Sequence, residues 1–374
     1  MVNAKDKFTK KDRSILIHKF LEAIATSAIQ IFLPIIIYKL TNSLSLAVLF
    51  SMLKYLVSGV FTLVLKKFLV KNQFLSIMLS IIPLVLVQVI IVFIQMNIVS
   101  VIFLSLLSGI YIPLYYFPIN IYFSITDEKT SVAGYELGSL LGSVLFILLS
   151  GYLLSTNITS SLLVMGIIAV TLFIFSRLVL LKNYKKIKNV SRINSESLLK
   201  VNKKLKKDNF FHIFMGISSI AIFDLLPLYL FYSNLSIDGI AYVMASLKIL
   251  NIGVNYLAQY FMKINKNYIN YLIGSLIIFI NCILTIFIKD ANILYFITSL
   301  NVLAFYFLFV ASFGHYVKKI KKDNIVSNGL LVRDFYLGSS RAMVAPLFLL
   351  FPFSPLMFIL GAIGAVGMYF TRIN

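Results

Sequence analysis

Polar interruptions cut this chain into about twelve apolar stretches, each near or above the roughly 20 residues that a helix needs to cross a bilayer. They run approximately 14–40, 44–65, 73–96, 98–124, 131–155, 158–182, 209–233, 237–262, 268–288, 291–317, 326–350 and 353–372. In lipid a backbone N–H or C=O finds no water, so a crossing segment must pair its own groups as a helix or join a closed barrel. The stretches lack the alternation of apolar and polar residues that a barrel strand requires. The expected class is therefore an all-α integral membrane protein of twelve transmembrane helices. Composition agrees, with 60% hydrophobic and 13% charged residues, against about 45–50% and about 25% in soluble chains. Met1 to Arg13 is polar and basic, and the first stretch has no small-residue cleavage site, so no removable signal peptide is expected.

The formal charge of +21 would suggest nucleic acid in a soluble protein, but the placement of the charges assigns it to topology. With the N-terminus inside, 29 of the 34 Lys and Arg residues fall in inner segments, and only Lys39 and Lys289 lie outside. Basic residues in short loops stay on the cytoplasmic side, so both termini are expected there. The run from Lys185 to Lys207 reads as an inner loop attracted to anionic headgroups, and no nucleic-acid partner is expected. The single cysteine, Cys282, excludes a disulfide framework and a multi-cysteine metal site.

The basic loop divides the stretches six and six, and the halves resemble each other. Ala28-Ile29-Gln30-Ile31-Phe32-Leu33-Pro34 matches Ala221-Ile222-Phe223-Asp224-Leu225-Leu226-Pro227 at a shift of 193 residues. Leu53-Lys54-Tyr55-Leu56-Val57-Ser58-Gly59-Val60 matches Leu247-Lys248-Ile249-Leu250-Asn251-Ile252-Gly253-Val254 at 194. A lysine deep in an apolar run costs a few kcal/mol or more, so its recurrence in the same context points to two parallel six-helix repeats. The expected organisation is 1–182, a basic linker 183–208, and 209–374.

This arrangement resembles the major facilitator superfamily. Gly134, Gly138 and Gly142 weakly resemble its glycine-rich antiporter motif, without the proline. Val332-Arg333-Asp334 with Gly338 and Arg341 is similar to a pattern in poorly characterised transporters of low-GC Gram-positive bacteria. The loop after the second stretch departs from the family: Lys66-Lys67-Phe68-Leu69-Val70-Lys71 lacks the glycines and aspartate that supply a gating salt bridge. The resemblance implies that spans 1, 4, 7 and 10 line a central cavity, that 2, 5, 8 and 11 flank it, and that 3, 6, 9 and 12 face lipid. The interior charges Glu22, Lys54, Glu136, Asp224, Lys248, Asp334 and Arg341 all fall in the first two groups.

Asp224 lies about 15 residues into span 7, near mid-membrane and beside Pro227, and is the first candidate for proton coupling. Glu22, four residues after His18 on the same helical face, is the second, as part of a cytoplasmic proton relay, although a snorkelling boundary pair is the favoured reading of these two. Lys54, Lys248 and Arg341, with Tyr111, Tyr115, Tyr116 and Tyr306, are expected to line a substrate cavity. Balanced pairing of the three cations with Asp224, Glu22 and Glu136 is the competing reading. Glu136, Arg333 and Asp334 sit near cytoplasmic helix ends and suit an inner gate.

No nucleotide-binding motif or ligand-spaced histidine occurs, so no cofactor, metal or covalent chemistry is expected. The expected activity is proton-coupled export of an amphipathic organic compound by a monomer in a bacterial plasma membrane. A flippase for an anionic lipid or glycolipid is the near alternative. A transport-silent receptor or intramembrane enzyme is the distant one.

Overall fold

The computed structural model describes residues 10–125, 129–183, 197–220, 225–263, 267–288, 291–350 and 355–373. Among them every regular element is a helix. Spans 1 and 2 are α1 (Lys10–Thr41) and α2 (Leu44–Val64). After a short α3 (Lys66–Lys71), span 3 comes in two pieces, α4 (Gln73–Leu79) and α5 (Ile81–Phe93). Spans 4 to 6 are α6 (Ile98–Ile125), α7 (Lys129–Thr156) and α8 (Ile158–Asn183), and the short α9 (Leu198–Lys204) precedes the second half. Span 7 is α10 (Lys206–Ser219) and α11 (Leu226–Tyr232). Spans 8 to 12 are α12 (Ile237–Lys263), α13 (Asn267–Phe287), α14 (Ala291–Lys322), α15 (Val326–Leu350) and α16 (Pro355–Ile373). Nine of these runs are long and apolar enough to cross a membrane by length and hydropathy alone, among the described residues. Span 7, α15 and α16 bring the helical runs to twelve.

Packing shows the repeat directly. In the first half α1 packs on α7 and α8, α2 on α6, and α5 on α6 and α8. In the second half α10 packs on α15 and α16, α12 on α14, and α13 on α14 and α16. Advancing each span by six turns the first set into the second. The main contacts between halves, α2 with α15 and α7 with α12, exchange with one another under the same operation.

The turns repeat as well. Asn42 and Asn234 follow spans 1 and 7 with φ of 51° and 66°, a left-handed conformation that asparagine tolerates and that ends a helix by offering its N–H to a late carbonyl. Asn42 N–H donates to Tyr38 O at 2.7 Å, and Asn234 N–H to Phe231 O at 3.1 Å. Asn324, φ 55°, ends span 10 in the same way.

Two close approaches hold the halves together. A Cβ on Gly338 would lie 2.9 Å from Gly59 Cα, so only glycine lets α15 cross α2 at this point. That crossing lies toward the face holding the start of α1 and the end of α16, called the terminal face. Toward the opposite face, Gly151 of α7 meets Ala241 of α12. There Tyr38 of α1 also stacks edge-on against Phe231 of α11, with centroids 6.0 Å apart.

Candidate transport site

The most developed polar cluster lies inside the first half. Pro83, near the start of α5, has no N–H for a helical bond, and span 3 breaks three residues earlier at Ser80. The break presents the Ser80 hydroxyl to span 6. Arg177 of α8 donates from Nη2 to Ser80 Oγ at 2.8 Å and to Glu22 Oε1 at 3.0 Å, and from Nη1 to Glu22 Oε2 at 2.7 Å. Tyr111 donates to Glu22 Oε1 at 2.9 Å, and Ser176 Oγ lies 3.1 Å from Oε2. Each carboxylate oxygen thus has two partners. The ion pair is almost sealed, with side-chain exposures of 5% for Arg177 and 1% for Glu22. Such a pair recovers its desolvation cost only with good geometry and further hydrogen bonds, and this one has a two-pronged guanidinium contact.

The cluster continues along α1. His18 Nδ1 is 2.6 Å from Ser176 Oγ, and Nε2 is 3.2 Å from Tyr115 Oη. The Tyr111 and Tyr115 rings stack at 5.5 Å. The Arg177 guanidinium lies 5.2 Å from the Tyr115 centroid, and Lys19 Nζ lies 5.0 Å from that of Tyr116. His18 and Glu22 are thus an enclosed pair and do not form a snorkelling boundary. Glu22 takes Arg177 as its partner, from span 6, which the family resemblance placed against lipid. The signal for Arg177 was present, since it is a charge inside span 6, five residues before the Lys182 at the span's end.

A second group lies where the halves meet. Lys54 of α2 is buried, with Nζ 4.4 Å from the Tyr55 ring centroid. The Arg341 guanidinium of α15 sits 4.7 Å from the same ring, while its Nε donates to Ser219 Oγ of α10 at 2.7 Å. Tyr55 therefore gathers one cation from each half, and sequence reasoning missed it. Lys248 on α12 is half-buried.

The other expected site residues are distributed as follows. Arg333 and Asp334 are neighbours on α15, 3.3 Å apart from Nη1 to Oδ1, and Arg333 also lies over Phe313 at 4.8 Å. Asp224 lies outside the described residues, and so do the side chains of Glu136 and Tyr306. The described flanks of Asp224 show a disturbed helix. Leu225 N–H reaches Ile220 O, five residues back, at 3.1 Å, and Pro227 opens α11.

For a metal, no group of three or more His, Cys, Asp or Glu side chains comes together among the described residues. The place where His18 and Glu22 approach is taken by a guanidinium bonded to both carboxylate oxygens.

Twelve helical runs in two parallel six-span halves, with paired cations and a disturbed seventh span at their junction, define a secondary-transporter fold. The family model of the Major Facilitator Superfamily matches residues 15–323, and the chain belongs to that superfamily. It is a multi-pass membrane transporter and not an enzyme. Among solved structures the chain is similar to a bacterial homologue of the iron transporter ferroportin, in an outward-facing state with soaked iron. The TM-score is 0.69 at 13% identity, over 98% of this chain and 99% of that one. That likeness is one of fold. No curated protein sequence matches.

Proposed function

We propose that this chain exports an amphipathic organic compound bearing a negative group, driven by the proton gradient through alternating access. It would work as a monomer in a bacterial plasma membrane, with both termini cytoplasmic and residues 183–208 joining the halves as a basic linker. The observation that carries the reading is the Tyr55 junction. Lys54 and Arg341 come from opposite halves to one aromatic ring, so a bound anion would be held by groups whose separation changes as the halves rock. Apolar side chains crowd the same junction and suit the rest of an amphiphile. Iron, the cargo in the name of the similar structure, fits less well, because Arg177 puts a positive charge against the buried carboxylate of the first half.

Asp224 is the proposed coupling residue. A transport cycle needs a carboxyl that is charged in one conformation and neutral in another, and Pro227, three residues on, removes one helical donor beside it. Glu22 is instead held by four hydrogen bonds from three residues, Tyr111, Ser176 and Arg177. The test uses proteoliposomes with an imposed pH gradient and a panel of fluorescent organic anions, with the cation ethidium as counter-probe. Wild type should concentrate an anion. Lys54→Gln with Arg341→Gln should abolish its binding, and Asp224→Asn should abolish uphill accumulation while preserving exchange down a gradient. Preference for ethidium, unaltered by loss of both cations, would remove the basis for an anionic substrate. Uphill accumulation by Asp224→Asn would move coupling to Glu22, Glu136 or another ion.

A further inference from the structure

The loop that lacks the family's charged gate is occupied by something else. It folds as α3, which buries Leu69 and Val70 while Lys67 and Lys71 remain exposed. From the linker comes α9, capped by Ser197, whose side chain accepts from Lys200 N–H. It buries Val201 and, at its end, Leu205, and it exposes Leu199 and a row of lysines. Both short helices turn their apolar sides into one cluster. From the first half it takes Leu69, Val70 and Phe117; from the second it takes Tyr316, Ile320 and Leu331. This cluster is separate from the main core and lies at the terminal-face ends of spans 4, 10 and 11.

The polar contacts show with which half α9 travels. Asn202 Oδ1 accepts from Asn209 Nδ2 at 2.6 Å and from the Tyr336 hydroxyl at 3.1 Å, which fastens α9 to α10 and α15. Beneath it, Lys319 of α14 donates to the buried Asp208 at 2.6 Å. The same cluster joins apolar side chains of α3 and the end of α6 to those of α9 and the second half. We propose that α9 and α3 are the two jaws of a hydrophobic latch: α9, clamped to the second half by Asn202, Asn209 and Tyr336, closes on α3 and the end of span 4. The latch does in this chain what a salt bridge from the span 2–3 loop would otherwise do. Opening the terminal face would divide this cluster between the halves and expose its members, and closing it would remove them from water again. The hydrophobic effect sets the bias of this equilibrium and salt has little leverage on it, in contrast to an exposed ionic gate.

The test reads conformation and needs neither a known substrate nor a coupling ion, so it stands apart from the proposed function. In a Cys282→Ser background, nitroxide labels at Lys71→Cys and Lys322→Cys place one probe on each half at the terminal face, both at exposed positions. Electron–electron distance measurements in lipid nanodiscs then give the ratio of long to short separations. Val201→Ala and Leu69→Ala should each raise that ratio by roughly tenfold, from the usual worth of the buried methyl groups removed. Tyr336→Phe, which keeps the ring and loses one hydrogen bond, should raise it by about 2–10-fold. Leu199→Ala, on the outward side of α9, should leave it unchanged. The latch is refuted if the three inward variants leave the ratio at the wild-type value, or if Leu199→Ala shifts it as much. High salt should also leave the ratio in place, and opening of the terminal face by salt alone would refute the apolar character of the gate.

Discussion

Removing one member of the Glu22–Arg177 pair is the sharpest test of how the first half is built. Arg177→Met keeps most of the side-chain volume and strands the Glu22 carboxylate, which is 1% exposed, with only the Tyr111 and Ser176 hydroxyls. Breaking a buried pair from one side costs about 3–5 kcal/mol. For a cooperative unit of 150–250 residues, the size of one half, each kcal/mol moves the melting temperature by about 2–4 °C, so the fall should be roughly 6–20 °C. The double variant Glu22→Leu/Arg177→Met removes both charges. Ser80 still donates to Ile77 O and Ser176 still lies against His18, so the main remaining loss is the Tyr111 hydroxyl, at about 1–3 kcal/mol. The double variant should therefore melt above Arg177→Met. The protein supplies its own reporter, because it has no tryptophan and one cysteine, Cys282, which is buried. A maleimide dye that fluoresces on reaction with Cys282 follows unfolding in detergent without an added label. If Arg177→Met melts within a degree of wild type, or the double variant melts below it, the pair does not organise this half.

Gly338→Ala places a methyl group 2.9 Å from Gly59 Cα and from Tyr55 O. It should cost about 1–3 kcal/mol or force the terminal-face crossing apart, read as lowered melting or as longer distances between the same spin labels. Cysteines introduced at 157 and 235 should react with an impermeant maleimide in intact cells, and one at 195 only after permeabilisation; the reverse pattern would overturn the proposed orientation. Tyr55→Leu removes the ring shared by Lys54 and Arg341 and should weaken anion binding about 2–30-fold, taking about 0.5–2 kcal/mol for the lost cation–π contacts; titration of the bound fluorescent anion measures it.

Class, family and repeat were legible in the sequence because each rests on something costly in lipid. A lysine inside an apolar run does not recur by accident, and Lys54 and Lys248 made the halves comparable before any helix was placed. The azimuth of each helix was not legible. Lipid tails are as apolar as leucine, so the side of a span that meets protein carries little compositional mark, and span 6 read as lipid-facing although Arg177 turns inward. The helix break at Ser80 has the same origin: its cause is visible as Pro83, but its consequence depends on which neighbour stands opposite. Tyr55 was hidden for a simpler reason, since its importance comes from Arg341, almost three hundred residues later, crossing at Gly338 and Gly59. The repeated asparagine turns could have been found, because Thr41-Asn42-Ser43 and Ser233-Asn234-Leu235 follow equivalent spans.

The polar bonds described above and the contacts named between the halves differ in kind. Glu22 to Arg177, Tyr115 to His18, Arg341 to Ser219 and Lys319 to Asp208 each lie within one half, and Tyr336 to Asn202 fastens the linker helix to the second. Between the halves stand Gly59 on Gly338, Gly151 on Ala241, Tyr38 on Phe231, and the Tyr55 ring under the Arg341 guanidinium. A buried ion pair or hydrogen bond pulled apart leaves stranded groups at several kcal/mol. An apolar or ring contact pulled apart costs about 25 cal/mol for each Å² that meets water, and close to nothing for area that meets lipid. Separating the halves at these four contacts would therefore break inexpensive contacts and spare the costly bonds named within each half. At the proposed site an anion bound beside Tyr55 would add to the contact of Arg341 with that ring, one of two cation–ring contacts between the halves with that of Lys39 over Phe231, and its affinity would change with the crossing at Gly338.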